Sequence, residues 1–422
     1  QISTGDKSMR LKLDKQNTGR ILEMLYLLVF AAFIAWSFLN TTKFEIVWPN
    51  YFYSDLKALL LLVIIVKAGY MGNYSKSDIL SVFLIGAVIL LNVSRNGYTE
   101  LEILLLLIIG AKGIDLKDIV KVYFIVTTLL LIITIAAALT GRIENLVYLQ
   151  EGRRSRMALG IGYPTDFSAY VFYDVIAYIY IRSKKIKYIE LAVLFASGIG
   201  VYLITDARLN TICIIAAVCI FFYLKIREDY GRKRQKEYQI NKLWSFLLAL
   251  SPVLCGAFMI ICSILYSSGS RITDLLDRIL NYRLYQGNKA IDIFGFTLWG
   301  QYIPMQGYGG TTDMPKHYFF LDSSYLSIVM QYGLLIFGIV LFIWIIISFR
   351  ARKEKNWILL WIVAVISVQC MIEHHMLEIA YNPFILAVFA ETVKTNKRPV
   401  IEKLYNRVRG KRNGKQIKKA VN

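Results

Sequence analysis

The stretch SSGSRITDLLDRILNYRLYQGNKAIDIFGFTLWGQYIPMQGYGGTTDMPKHYFFLD, residues 267–322, is the one long segment of the chain that is neither an apolar run nor a basic tail. Apolar runs long enough to cross a bilayer flank it on both sides, so it reads as a water-facing loop or cap between two membrane spans. It carries Arg271, Arg278, Arg283 and His317, a Gly-rich turn at 307–310, several aromatics and a terminal Asp322. That inventory suits gripping a phosphate and sugars. A structured loop that merely covers helix ends is the plainer alternative.

Outward from this loop the chain is 56% hydrophobic over 422 residues, which places it among polytopic membrane proteins, so spans are counted in place of domains. Candidate spans lie at 21–39, 56–71, 79–93, 101–111, 120–140, 165–181, 188–205, 209–224, 243–266, 323–348, 357–370 and 377–393. The expected fold is therefore all-α, with about twelve transmembrane helices and the large loop between the ninth and tenth. Twelve crossings place both termini on one side. The fourth run is short, but removing it alone would invert every later loop. Residues 1–20 form a polar N-terminal segment, 21–393 the membrane domain with outer loops 141–164 and 267–322, and 394–422 a basic tail. The N-terminal segment runs into the first span without a small-residue cleavage site, so no cleaved signal peptide is expected.

The net charge of +20 is not spread as on a nucleic-acid face. Most positive residues fall in alternate loops and the C-terminal tail, the positive-inside pattern, so those loops and both termini are expected to be cytoplasmic and to touch lipid headgroups. On the inner side Lys outnumbers Arg; on the outer side Arg prevails. Lipid needs only charge, whereas bidentate binding of phosphate favours the planar guanidinium, so the outer Arg excess points to an anionic ligand there. The five cysteines sit in or beside apolar runs and read as packing residues without disulfides. No internal repeat or matched pair of interrupted helices is visible, which argues against an inverted-repeat transporter.

Three further outer segments carry chemistry. Loop 141–164 sets Arg153, Arg154 and Arg156 beside Gly160, Gly162 and Pro164, a plausible anion cradle. The turn TDARLN, residues 205–210, is so short that Arg208 must lie at the membrane boundary, paired or snorkelling. The stretch MIEHHMLEIAYNPF, residues 371–384, holds Glu373, His374, His375 and Glu378, and on a helix Glu378 would share a face with His374. All three histidines, His317, His374 and His375, thus fall on the outer side, where one of them is a candidate proton acceptor. The His and Glu spacing matches no zinc signature, so no metal is expected. No outer Asp-x-Asp pair marks a metal-dependent nucleotide-sugar transferase. Arginines would then have to neutralise a diphosphate leaving group. Trp299, Tyr302, Tyr308 and Phe319 are candidates for stacking on sugars, although an interfacial aromatic belt explains them equally well.

Four blocks in order, RRSRMALGIGYPTDFSAY, ITDARLNTI, NYRLYQGNKAIDIFGFTLWGQ and LDSSYLSIVMQYGLLIFG, resemble those of the Wzy-type O-antigen and capsule polymerases and their relatives the O-antigen ligases. The resemblance covers residue 142 to the last span. It implies a helical membrane fold related to the GT-C glycosyltransferases, in a bacterial cell membrane, active at the outer face on undecaprenyl-diphosphate-linked oligosaccharides without metal or other cofactor. Flippase and chain-length regulator proteins are partners it implies. Carried onto this sequence, it gives the donor diphosphate to Arg208 and Arg283, with Arg154 or Arg156 assisting, and Arg278, just ahead of the amphipathic segment, is a further candidate for the same ligand. Where the ligases have a His at the head of the following span, this chain has Asp322, which fits a polymerase better. The base stays open between Asp322 and His317, His374 or His375. A long-spaced Arg-to-Gly pattern of some polymerases is not reproduced. The expected activity is transfer of a growing glycan from undecaprenyl diphosphate to a lipid-linked repeat unit. A ligase-type transferase and an oligosaccharide or lipid flippase are the alternatives, and Lys67 is the nearest approach to a mid-span charge that a flippase would favour.

Overall fold

In the computed structural model, residues 4–71, 74–149, 154–235, 239–313 and 315–393 are described; Arg153 and the basic tail 394–422 lie outside them. The helices run α1 (Thr4–Leu39), α2 (Phe52–Met71), α3 (Lys76–Asn96), α4 (Glu100–Gly110), α5 (Leu116–Leu139), α6 (Pro164–Arg182), α7 (Tyr188–Thr205) and α8 (Arg208–Lys233). They continue with α9 (Lys242–Ala249), α10 (Ser251–Ile264), α11 (Arg271–Ile279), α12 (Arg283–Phe294), α13 (Ser324–Gln331), α14 (Gly333–Lys353) and α15 (Trp357–Gln369). The only paired strands among the described residues, β1 (Val147–Tyr148) and β2 (Arg156–Met157), make a short antiparallel ribbon that holds loop 141–164.

The protein is a helical membrane protein. Six helices among the described residues are long and apolar enough to cross a bilayer: Thr18–Leu39 of α1, then α3, α5, α7, α8 and α14. The pair α9 and α10, bent by 54°, would make a seventh. Helices also stand at most of the other expected spans, but they are short, as α4 and α15 are, or carry charge, as α2 does with Asp55, Lys57 and Lys67.

Two expected spans differ in form. The run 323–348 is interrupted at Tyr332, because the backbone of 297–301 wedges against the break: Leu334 N donates to Thr297 O at 2.9 Å and Gln301 N to Gln331 O at 3.0 Å. Gly300 and Gly333, both at positive φ, allow this crossing; a Cβ on Gly300 would meet Gln331 O at 2.5 Å. The run 377–393 is not an α-helix. It is a buried series of turns with a 3-10 segment at Pro383–Val388, packed among α4, α5 and α14. Pro383 has no N–H to give to the i to i+4 ladder, and side chains satisfy the backbone in its place, as Asn382 does for Phe384 N.

Around α6 the bundle is closest-packed, with α5, α7 and α8 against it. The loops fall into two sets at opposite ends. At one end Leu116 N donates to Glu391 O at 2.9 Å and Asn356 Nδ2 to Thr392 O at 3.1 Å. At the other, Gly162 N donates to Thr41 O at 2.8 Å and Lys43 Nζ to Gly310 O at 3.0 Å. The described parts of loops 141–164 and 267–322 and the 371–382 turn gather at this second end.

Candidate functional site

At the second end the site begins with how α12 starts. Asn281 and Tyr282 take successive left-handed conformations, φ 54° and 66°, which non-glycine residues rarely adopt. The reversal is paid for by Asp277 of α11. Its backbone oxygen accepts from Tyr282 N at 2.8 Å, and its Oδ1 accepts from Leu284 N at 2.9 Å and Tyr285 N at 3.0 Å, capping the free N–H groups of α12. Arg283, first residue of the helix, is thereby aimed inward. Its Nη2 stands 3.2 Å from Asp322 Oδ2, its Nε donates to Ile372 O at 3.3 Å and its Nη1 to Asn281 O at 2.8 Å.

Asp322 precedes α13, whose Ser324 staples the 371–376 turn in place: Ser324 Oγ donates to Glu373 O at 2.5 Å and accepts from Met376 N at 3.1 Å. Behind the ion pair lies a cluster of acids and imidazoles. Glu378 reaches both histidines, with His375 Nδ1 in hydrogen-bond contact with Oε2 at 3.0 Å and His374 Nε2 standing 3.4 Å from Oε1. Glu373 Oε1 accepts from Asn210 Nδ2 at 2.9 Å, and Asn210 is itself bonded to Ser168 Oγ at 2.7 Å. Glu373 Oε2 and Asp166 Oδ1 face His375 Nε2 at 3.9 and 4.0 Å, beyond hydrogen-bond reach. His375 also stacks on Tyr381, with ring centroids 3.7 Å apart.

Burial sets the charge states here. His374 is pushed down to about 4, by burial first and then by the neighbouring His375; burial takes His375 down to about 3. Both are neutral imidazoles near pH 7. Burial raises the Glu373 carboxyl well above the usual range, opposed by the charge of Arg283. The buried His374 Nδ1 and His375 Nε2 have no hydrogen-bond partner. An unsatisfied buried group costs about 1–3 kcal/mol, so two on adjacent residues mark a site and not simple packing.

The remaining arginines form a second group. Arg156, on β2 and only 5% exposed, donates from Nε to Thr205 O at 3.0 Å and lies over the Tyr163 ring at 5.4 Å. Tyr163 feels the charges of both Arg156 and Asp322, so the two groups adjoin. Asp206, left-handed at the end of α7, gathers Arg154 at 3.8 Å and Arg208 at 3.6 Å, and both guanidinium side chains are largely exposed. Tyr148, Tyr163, Tyr308 and Tyr318 make an aromatic wall beside Arg156. Of the sugar-stacking candidates, Tyr308 belongs to this wall and Phe319 packs on Phe294, while Tyr302 is exposed.

Arg278, on α11, and His317, in the turn before Tyr318, are exposed. No hydrogen bond or ion pair joins either of them to Asp322 or the His pair among the described residues. Sequence reading passed over Asp166, Asp277 and Asn210. Asp166 had a faint signal, an acid in the first turn after Pro164; the other two acquire meaning only through contacts made across the fold.

The chain matches no protein-family model, no curated protein and no solved structure.

Proposed function

We propose that this protein is a polysaccharide repeat-unit polymerase of the Wzy type, an all-α, GT-C-like glycosyltransferase that crosses a bacterial cell membrane about twelve times. Both termini are then cytoplasmic and the Arg283 end of the bundle faces outward, where the lipid-linked donor and acceptor meet. The observation that carries the reading is the convergence of Arg283 on Asp322 with Arg156 across Tyr163, drawn from three distant segments onto one rim.

In this reading the donor diphosphate takes over the Arg283 guanidinium, with Arg156, Arg154 and Arg208 completing the grip. Asp322, released from its ion pair, accepts the proton of an acceptor sugar hydroxyl. The hydroxyl oxygen bonds to the anomeric carbon of the donor glycan while the bond from that carbon to the diphosphate oxygen breaks. The glycan is then joined to the acceptor repeat unit, and undecaprenyl diphosphate leaves with the electron pair. A ligase-type transferase would use the same rim with a different acceptor. For a flippase the charges would line a central path, but Lys67 is occupied by backbone carbonyls, donating to Gly110 O at 2.5 Å and Lys112 O at 2.7 Å.

The test is purified protein in detergent with a lipid-linked repeat unit and no nucleotide. A ladder of products that Arg283→Ala and Arg208→Ala abolish supports the polymerase; substrate binding without any ladder overturns it.

A further inference from the structure

The two orphaned imidazole nitrogens ask for a partner that no protein atom supplies. Glu378 stands against the opposite nitrogen of each ring, and His374 Nδ1 and His375 Nε2, on neighbouring residues, are buried without a hydrogen-bond partner. A carboxylate behind each imidazole, fixing its tautomer, is the arrangement that supports metal-ligating histidines. One donor atom from each of Glu373, His374 and His375 lies within 4.8 Å of the others. Glu373 has its second oxygen fixed by Asn210, and Asp166 Oδ1 closes the opposite side at 4.0 Å from His375 Nε2.

We infer that His374, His375 and Glu373, with Asp166 opposite, bind one divalent transition-metal cation of the zinc type. The spacings favour a cation over a plain hydrogen-bond network. Separations of 3.9 and 4.0 Å are too wide for hydrogen bonds. Bonds of about 2.1 Å in a tetrahedron give edges of roughly 3.4 Å, so a bound cation draws Glu373 Oε2 and Asp166 Oδ1 towards His375 Nε2 by about half an ångström and any donor pair at the 4.8 Å limit of the cluster by about 1.4 Å. Two imidazoles with carboxylates suit zinc better than magnesium or calcium, which prefer oxygen alone. His375 is 1% exposed, so its Nε2 cannot turn to water for relief.

The cation acts as a clamp. It ties the start of α6, through Asp166, to the 371–376 turn, whose Ile372 carbonyl holds Arg283. It is given no part in glycosyl transfer, and the inference does not depend on the polymerase reading. No sequence signature announced it, because the donors are three consecutive residues and one from far upstream.

The test uses the full-length protein in detergent, purified without a polyhistidine tag and stripped of metal, then titrated with Co²⁺ and followed by its visible d–d absorption. Wild type is expected to bind one equivalent, displaced by Zn²⁺. Glu378→Gln, which acts only by positioning, should weaken binding about 10- to 100-fold and shift the band. His374→Ala and the isosteric Glu373→Gln should lose the band, while His317→Ala, which removes an exposed histidine, should keep it. Monodisperse wild type that takes up no stoichiometric Co²⁺ or Zn²⁺ overturns the inference, as does undiminished affinity in either folded ligand variant.

Discussion

Arg283 Nη2 stands 3.2 Å from Asp322 Oδ2, and the two side chains are only 11% and 22% exposed. An ion pair that far from bulk water is held for geometry, since taking both charges out of water offsets much of their attraction. Arg283→Ala should therefore lower polymer formation by about 100-fold or more. Arg283→Lys, keeping the charge but losing the planar fork, should recover only a small part of it. The product ladder from a lipid-linked repeat unit reads both. A lysine variant as active as wild type would show that charge alone suffices and that the bidentate grip is wrong.

Asp277 gives a prediction about stability. Its carboxylate caps α12 from the preceding helix through Leu284 N and Tyr285 N. Asp277→Ala strands both donors and should cost about 1–2 kcal/mol, seen as a fall in Tm of the detergent-solubilised protein. Asp277→Asn keeps an acceptor oxygen and should restore most of the loss. Equal melting of the two variants would mean that charge, not capping, is what Asp277 supplies.

These contacts show what the sequence could and could not carry. Apolar run length marked most of the helices, because it depends on local composition. The Arg-bearing segments were visible for the same reason, and Arg283 with Asp322 drew notice from residue type alone. Asp277 and Asn210 were invisible, since an acid on an amphipathic helix and an amide in an apolar one look ordinary until the chain folds. The run 377–393 misled because its hydrophobicity reports burial, and a buried series of turns is as apolar as a span. Glu373, His374 and His375 sit at no metal spacing, for their convergence depends on the turn that Ser324 holds.

Gly300 tests the backbone crossing that interrupts the expected tenth span. At φ +86° a side chain there is strained, and its Cβ would meet Gln331 O at 2.5 Å and Asn92 Nδ2 at 2.7 Å. Gly300→Ala should cost at least about 1–2 kcal/mol from the backbone alone, with more from the clash. Thermal melting checks the size. An unchanged Tm would show that the segment 297–301 does not pack against the α13–α14 break.

Lys67 separates an enzyme from a transporter. It is 1% exposed within α2, and its ammonium satisfies the carbonyls that close α4. Lys67→Met removes the charge while nearly filling its space, and it strands two carbonyls, so stability should fall by about 1–3 kcal/mol. If Lys67 is only a cap, the product ladder measured well below the new Tm should match wild type. If it lies on a path for a charged headgroup, lipid translocation in proteoliposomes should collapse while the Tm barely moves, because a residue exposed to a water-filled path would leave no carbonyls stranded. One outcome costs stability and spares the ladder, the other spares stability and costs translocation, so these three measurements on a single variant decide between them.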